Sequence, residues 1–438
     1  MMHSKPATLC LAPWTHTYIS PQSERRMCCA SREQAQNFKQ YIDASSLGTG
    51  KYIPITLDNH WNGEHMKSVR RRMLAGETLP ECEVCNNKLL NASVYRNHFD
   101  YLFGHKYEQL MSATDETGYT TAKPVSWDYR FSNLCNFKCR MCGDKLSSQW
   151  ETDVKKMHEN DAGWWALPEN AWMLPDIKQQ ITEFQDNVVE QEFALAVEEH
   201  RMEEIYWVGG EPLMYEQHWK YMKRIIELGD GNKVYVRYNS NLSRTEYKGI
   251  NLYRDILPFV RDWQMCASID GTGQVGEYIR TGLKYDEWKE NFRQGVAIQK
   301  HNRQMKLDFT LTLPGMTEIV NMVKLAKEFN VSLMNKIAFS FDPSIYMSPQ
   351  ILPRKVLNDW LDDIEAELGS DVKHVADILG QLRSLPVFEE RWPDTYVEGR
   401  VRARQQCERY EDYRKDDYRM VDILAQRPAA LEWWNSIC

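Results

Sequence analysis

The stretch SNLCNFKCRMCG, residues 132 to 143, places three thiols, Cys135, Cys139 and Cys142, within eight residues. A structural zinc site closes with four ligands and a disulfide needs pairs, so this spacing asks for something else. Three thiolates on one short loop suit three irons of a 4Fe-4S cube and leave the fourth iron open to another molecule. A fold that carries such a loop has to hold it on a rigid frame and leave room beside it.

The chain has 438 residues, of which 42% are hydrophobic and 12% aromatic, enough for two or three packed units with a sizeable core. It contains no run of about eighteen apolar residues, and its start, MMHSKPATLCLAPWTH, breaks any continuous apolar stretch with Pro, Cys and Trp. The expectation is a cytoplasmic protein with no membrane association. A formal charge of -8 argues against general nucleic-acid binding, and RRRM at 70–73 reads as a solvated helix face. In a reducing compartment the eleven cysteines read as metal ligands plus a few buried thiols.

The chain divides into three. Residues 1–121 hold Cys10, Cys28, Cys29, Cys82 and Cys85 with little regular periodicity. Residues 122–345 alternate strand-like and helix-like segments, and residues 346–438 are charged and mostly helical. The strand candidates are VSWDYRF (125–131), EIYWVGG (204–210), KVYVRYN (233–239), WQMCASID (263–270), KLDFTLTL (306–313) and KIAFSF (336–341), with amphipathic stretches such as QHWKYMKRIIELG between them. Six strands each followed by a helix predict an α/β fold with a parallel sheet, open or curled into a partial barrel. Active residues in such folds gather at the carboxyl ends of the strands. An insertion at about 144–203, containing GWWALPENAWMLP, follows the loop of the first strand, and its tryptophans read as packing residues.

The motifs recur after successive strands. The three-cysteine loop follows the first. GGEP follows the second, where Gly209 and Gly210 let backbone approach a ligand and Glu211, before Pro212, offers a carboxylate to an ammonium group. NSN (Asn239, Ser240, Asn241) closes the third, SIDG with Ser268 and Asp270 closes the fourth, and RTG begins at Arg280. Together these complement a ribose and a carboxylate.

On these motifs, residues 122–345 resemble the core of a radical S-adenosylmethionine enzyme. The resemblance implies a partial (β/α)6 barrel, an open iron chelated by the amine and carboxylate of S-adenosylmethionine, and a 5'-deoxyadenosyl radical that abstracts hydrogen from a substrate. It directs Gly209, Gly210, Glu211 and Pro212 to the methionine amino end, Asn239, Asn241, Ser268 and Asp270 to the ribose and carboxylate, and Arg280 to the carboxylate. Met141 stands where relatives carry an aromatic residue before the third cysteine, and its thioether can still pack on adenine. An electron donor such as flavodoxin or ferredoxin is implied. The N-terminal Cys10 in CLAPW, Cys28 and the Cys82/Cys85 pair resemble an N-terminal twitch domain, the shortened relative of the SPASM module, with a second, auxiliary 4Fe-4S cluster.

The residues alone leave alternatives open. Zinc knuckle and zinc ribbon are the simpler readings of the two cysteine sets, and Cys29 competes with Cys28 as a ligand. Cys266 shares strand parity with Ser268 and is a candidate hydrogen donor, or else a small buried hydrophobe, as is Cys407. Asp308, Thr310 and Thr312 share one parity, and Arg237 shares that of Asn239, so these polar residues either hold a substrate or satisfy one another. The leading function is modification of a peptide or protein side chain, the alternative is dehydrogenation of a sugar or aminocyclitol, and a metal-binding protein without chemistry is the third reading.

Overall fold

Strand alternation gives one sheet two unlike faces. The computed structural model describes residues 5–33, 54–86, 93–338 and 344–438. Its strands are β1 (His16–Ile19), β2 (Arg25–Arg26), β3 (Ser126–Tyr129), β4 (Glu204–Trp207), β5 (Tyr235–Ser240), the short β6 (Glu246–Tyr247) and β7 (Ile250–Asn251), β8 (Asp262–Ser268), β9 (Met305–Leu311) and β10 (Ser332–Ile337). They belong to a mixed α/β chain that forms two compact units. One comprises residues 1–134, 151–238 and 247–263, the other residues 135–150, 239–246 and 264–438.

In the first unit β5, β4, β3 and β1 lie side by side in parallel, and β2 closes the edge antiparallel. One face is apolar: Phe193, on the helix Glu190–Glu198, packs its ring 5.7 Å from Trp127, 5.9 Å from Tyr129 and 5.7 Å from Trp207. The alternate residues Ser126, Asp128, Glu204 and Arg237 carry charge and hydroxyl groups. Glu204 is buried and accepts from Ser126 Oγ at 2.6 Å and Arg237 Nε at 2.7 Å, with His98 Nε2 2.7 Å away. Burial alone would raise its pKa, but Arg237 and His98 hold it well below the carboxylate range. Arg130 makes two hydrogen bonds to Asp128, at 3.0 and 3.1 Å, so the charges on this face are internally compensated.

In the second unit β8, β9 and β10 are parallel. Helices Arg354–Leu368, Ala376–Ser384 and the long Pro393–Arg414 follow. Among the described residues no helix is long and apolar enough to cross a membrane.

Three sequence expectations need correction. The last strand is SLMNKI rather than KIAFSF: its residues alternate between exposed and half-buried, so an edge strand with one neighbour carries no apolar signal, and residues 339–341 of the expected run lie outside the described residues. The N-terminal segment contributes β1 and the helices Glu64–Leu74 and Ser93–Phe103, although a four-residue strand is too short to read as a pattern. Arg70 is fully buried, donating to Pro13 O at 2.9 Å and Asn62 Oδ1 at 3.0 Å and covering the Trp61 ring, while Arg71 is exposed.

Burial pushes His16 down to about 4 and both His60 and His218 down to about 3, so all three are neutral in the folded first unit. The unfolded chain takes up these protons near pH 6.5 and the folded chain does not. Stability is therefore full above that pH and falls on acidification, by roughly 1.4 kcal/mol per pH unit for each histidine between about pH 6 and 4. Urea titrations across this range should show the decline, and His218→Phe should make it shallower. An identical slope in the variant contradicts the assignment.

Candidate functional site

In the second unit, the loop 135–142 has no regular secondary structure, yet Cys135, Phe137, Cys139 and Arg140 are buried. Its peptide groups find partners one by one. Lys138 N donates to Thr281 O and Arg140 N to Ile279 O, both at 2.8 Å, and Cys142 N donates to Cys139 O at 3.0 Å. Ser147 Oγ donates to Phe137 O at 2.6 Å, Trp150 Nε1 to Cys139 O at 2.9 Å, and Arg414 Nη1 to Lys138 O at 3.1 Å. Arg414 also covers the Trp150 ring at 4.7 Å. Gly282, with φ +107°, allows this approach, since a Cβ there would lie 2.9 Å from Phe137 Cδ1 and 3.0 Å from Asn136 O.

With three successive carbonyls engaged, N–H groups face two of the sulfurs. Phe137 N donates to Cys135 Sγ at 3.4 Å, Asn241 Nδ2 lies 3.8 Å from the same sulfur, and Arg280 Nη1 lies 3.8 Å from Cys139 Sγ. The Cys139 and Cys142 thiols hydrogen-bond each other, which holds Cys139 below and Cys142 above the usual thiol range. Met141 and Cys142 are half-buried. Arg280 also pairs with buried Asp270, Nε to Oδ2 at 2.6 Å, and Asp270 accepts from Thr310 N at 2.8 Å.

The other polar strand residues of this unit engage one another. Asn239 Nδ2 and Lys336 Nζ both donate to Asp308, at 2.9 Å. Ser268 is half-buried opposite Asp308, and Thr312 Oγ1 accepts from Gly315 N at 3.0 Å. Cys266 is buried and donates to Gln264 Oε1 at 3.8 Å. Cys407 is buried 3.5 Å from Tyr278 Oη, and burial pushes its thiol far up.

In the first unit, GGEP packs on residues 132–134. Glu211 N donates to Leu134 O at 2.7 Å, Tyr215 Oη donates to Ser132 O at 2.5 Å, and Gly210 N donates to Tyr215 Oη at 2.8 Å. A Cβ on Gly210 would lie 2.2 Å from Leu134 O, so only glycine fits. Glu211 is buried and Oε1 caps the following turn, Pro212–Met214, through Leu213 N at 3.0 Å.

The first unit also gathers Cys10, Cys28, Cys82 and Cys85 around one cavity, with Tyr95, Arg96 and Phe99 in its wall. Cys29 is not in that lining; its thiol hydrogen-bonds Tyr95. Burial pushes Cys10 and Cys82 up to about 12 and raises Cys28 and Cys85, so the four are neutral thiols unless a metal centre supplies positive charge. N–H groups are again turned to sulfur: Ala12 N lies 3.5 Å from Cys10 Sγ, and the Arg96 backbone donates to Cys85. Among the described residues, no three His, Cys, Asp or Glu side chains close on a point as ligands of a single ion would.

Sequence reasoning did not find Trp150, Tyr215, Tyr95 or Arg414. Tyr215 and Tyr95 sit within ten residues of GGEP and of the Cys82/Cys85 pair, the one signal that marks them. Arg414 is 276 residues from Lys138, and no local pattern connects them.

No family model matches the chain, and no curated protein matches it. Among solved structures it is similar to Streptococcus suis SuiB bound to precursor peptide SuiA, at 13% identity and a TM-score of 0.32. The match spans 62% of this chain and 60% of SuiB, a likeness too slight to carry fold or function.

Gly210→Ala should destabilise the first unit by about 1–3 kcal/mol, because the obstacle is a backbone oxygen that cannot swing aside. Denaturant unfolding measures it, and a loss within error would mean that the loop yields freely.

Proposed function

We propose that the chain is a radical S-adenosylmethionine enzyme. One observation carries the reading: a single, partly buried loop presents Cys135, Cys139 and Cys142 with three successive carbonyls engaged elsewhere and N–H groups at the Cys135 and Cys139 sulfurs. That donor set fits an iron-sulfur cube with one open iron. When bound, the cluster and S-adenosylmethionine supply reductive cleavage of the sulfonium and a 5'-deoxyadenosyl radical.

The chain's own residues bind and orient. Cys135, Cys139 and Cys142 hold three irons. Gly209 and Gly210 bring backbone to the methionine amino group, Glu211 faces its charge, and Pro212 stiffens the turn. Asn239, Asn241, Ser268 and Asp270 serve the ribose and carboxylate, Arg280 the carboxylate, and Met141 packs on adenine. Cys10, Cys28, Cys82 and Cys85, in the twitch-like segment 1–121, hold an auxiliary cluster; their convergence on one cavity supports this. Residues 122–345 form the radical core and 346–438 a helical extension. A flavodoxin- or ferredoxin-type donor supplies electrons, and Cys266 is the candidate hydrogen donor.

The substrate we favour is a peptide or protein side chain. Between residues 151 and 198, Trp164 and Trp165 are half-buried and Leu167 and Leu195 exposed, apolar side chains within reach of a macromolecular partner. Turnover is read as a mass change in a peptide encoded beside the gene, and oxidation of a sugar or aminocyclitol would assign a small-molecule substrate instead.

Changing Cys135, Cys139 and Cys142 together to Ala should abolish 5'-deoxyadenosine formation by the anaerobically reconstituted protein; undiminished formation refutes the class. Replacing Cys82 and Cys85 by Ala should lower iron from about eight to about four per chain and leave cleavage intact while substrate turnover fails. A soluble, compact double variant with full turnover would remove the auxiliary role, and one zinc with about four irons in the wild type would make the second site a zinc ribbon. Glu211→Gln should weaken cosubstrate binding by roughly 1.5–3 kcal/mol, read by equilibrium titration.

A further inference from the structure

Two side chains beside the cysteine loop are aimed at its sulfurs. Arg280 is 8% exposed and its guanidinium is doubly engaged: Nε is 2.6 Å from Asp270 Oδ2, and Nη1 is 3.8 Å from Cys139 Sγ. Asp270 is itself fixed by Thr310 N, so the strand ends dictate where the guanidinium lies. Asn241, at the end of β5, is 7% exposed; its Nδ2 is 3.8 Å from Cys135 Sγ and 3.0 Å from Asn136 Oδ1. Both amide and guanidinium are thus held against the loop that presents the cysteines.

We propose that Arg280 and Asn241 act on the cysteine sulfurs as N–H donors that raise the reduction potential of the cluster held there. This rests on the radical-enzyme reading above and goes beyond the cosubstrate contacts assigned to the same two residues. The cube takes one electron, from the 2+ to the 1+ state, supplied by an external low-potential donor; no bond to the protein forms or breaks and no proton moves. The added negative charge spreads over the thiolate sulfurs, so a donor aimed at sulfur stabilises the reduced state more than the oxidised one. Arg280 is also a cation in a poorly hydrated position, where Coulomb effects are larger than in water. Arg280 and Asn241 are positioning residues for the electron-accepting step, placed on two of the three cysteines.

The test uses the full-length protein, anaerobically reconstituted, in wild-type, Arg280→Gln and Asn241→Ser forms. Iron content is measured first. A redox titration without S-adenosylmethionine then follows the low-temperature EPR signal that S-adenosylmethionine perturbs when it is added. Both variants should be reduced at a more negative potential than wild type, with the larger shift in Arg280→Gln, which also loses a cation. Unmoved potentials at four irons in that cluster overturn the proposal. So does a tenfold or greater loss of S-adenosylmethionine affinity with the potential unchanged, which would return both residues to cosubstrate binding alone. If Arg280→Gln fails to hold iron, Asn241→Ser decides, and an unmoved potential in it is a refutation. A wild-type protein that assembles no cluster defeats the radical-enzyme reading, a result separate from these.

Discussion

A buried loop without secondary structure has to find a partner for each of its peptide groups, because an orphaned N–H or C=O costs about as much as a lost hydrogen bond. The partly buried loop 135–142 meets much of this demand with borrowed groups. The 279–281 backbone accepts from two of its N–H groups, and Ser147, Trp150 and Arg414 donate to three successive carbonyls. The consequence is chemical as well as structural. Carbonyl oxygens free to approach thiolates would repel their charge, and here three successive ones are engaged by other donors.

The first unit solves the same problem with charge. Its sheet buries Glu204 and Arg237 against each other and pairs Arg130 with Asp128, so the polar face is costly only if one partner is removed. Such a plate of compensated charges is stiff, and the neighbouring helix and loop that carry Tyr95, His98 and Cys29 rest on groups with fixed positions. The polar strand residues that a sequence reading would offer to a substrate, Arg237, Asn239 and Asp308, are engaged with one another or with Glu204 and Lys336.

How much of this was legible follows the range of each interaction. The strands at 125–131, 204–210, 233–239, 263–270 and 306–313 announce themselves because both sheet faces leave an alternating or apolar mark. β10 does not, since an edge strand with half-exposed residues has no such mark. Spacing favours Cys28 over the adjacent Cys29 only slightly, while the turn that follows β2 sends Cys28 to the cavity of Cys10, Cys82 and Cys85 and Cys29 to Tyr95. Arg70 looks like one of three solvated arginines until its partners, Pro13 and Asn62, are known. The motif residues themselves were legible because they cluster locally, while the groups that hold them were not.

The tie between Arg414 and Lys138 spans 276 residues, and Asp416 pairs with Arg140 across the same distance. A ribosome synthesises a chain from its N-terminus, so every cysteine of the loop is made long before the helix that secures it. Until that helix emerges, Lys138 O lacks its Arg414 donor and Arg140 lacks its Asp416 partner. The loop therefore gains its final surroundings only once residues 393–416 have been made, and a substitution that loosens that helix would strike a loop more than two hundred residues upstream.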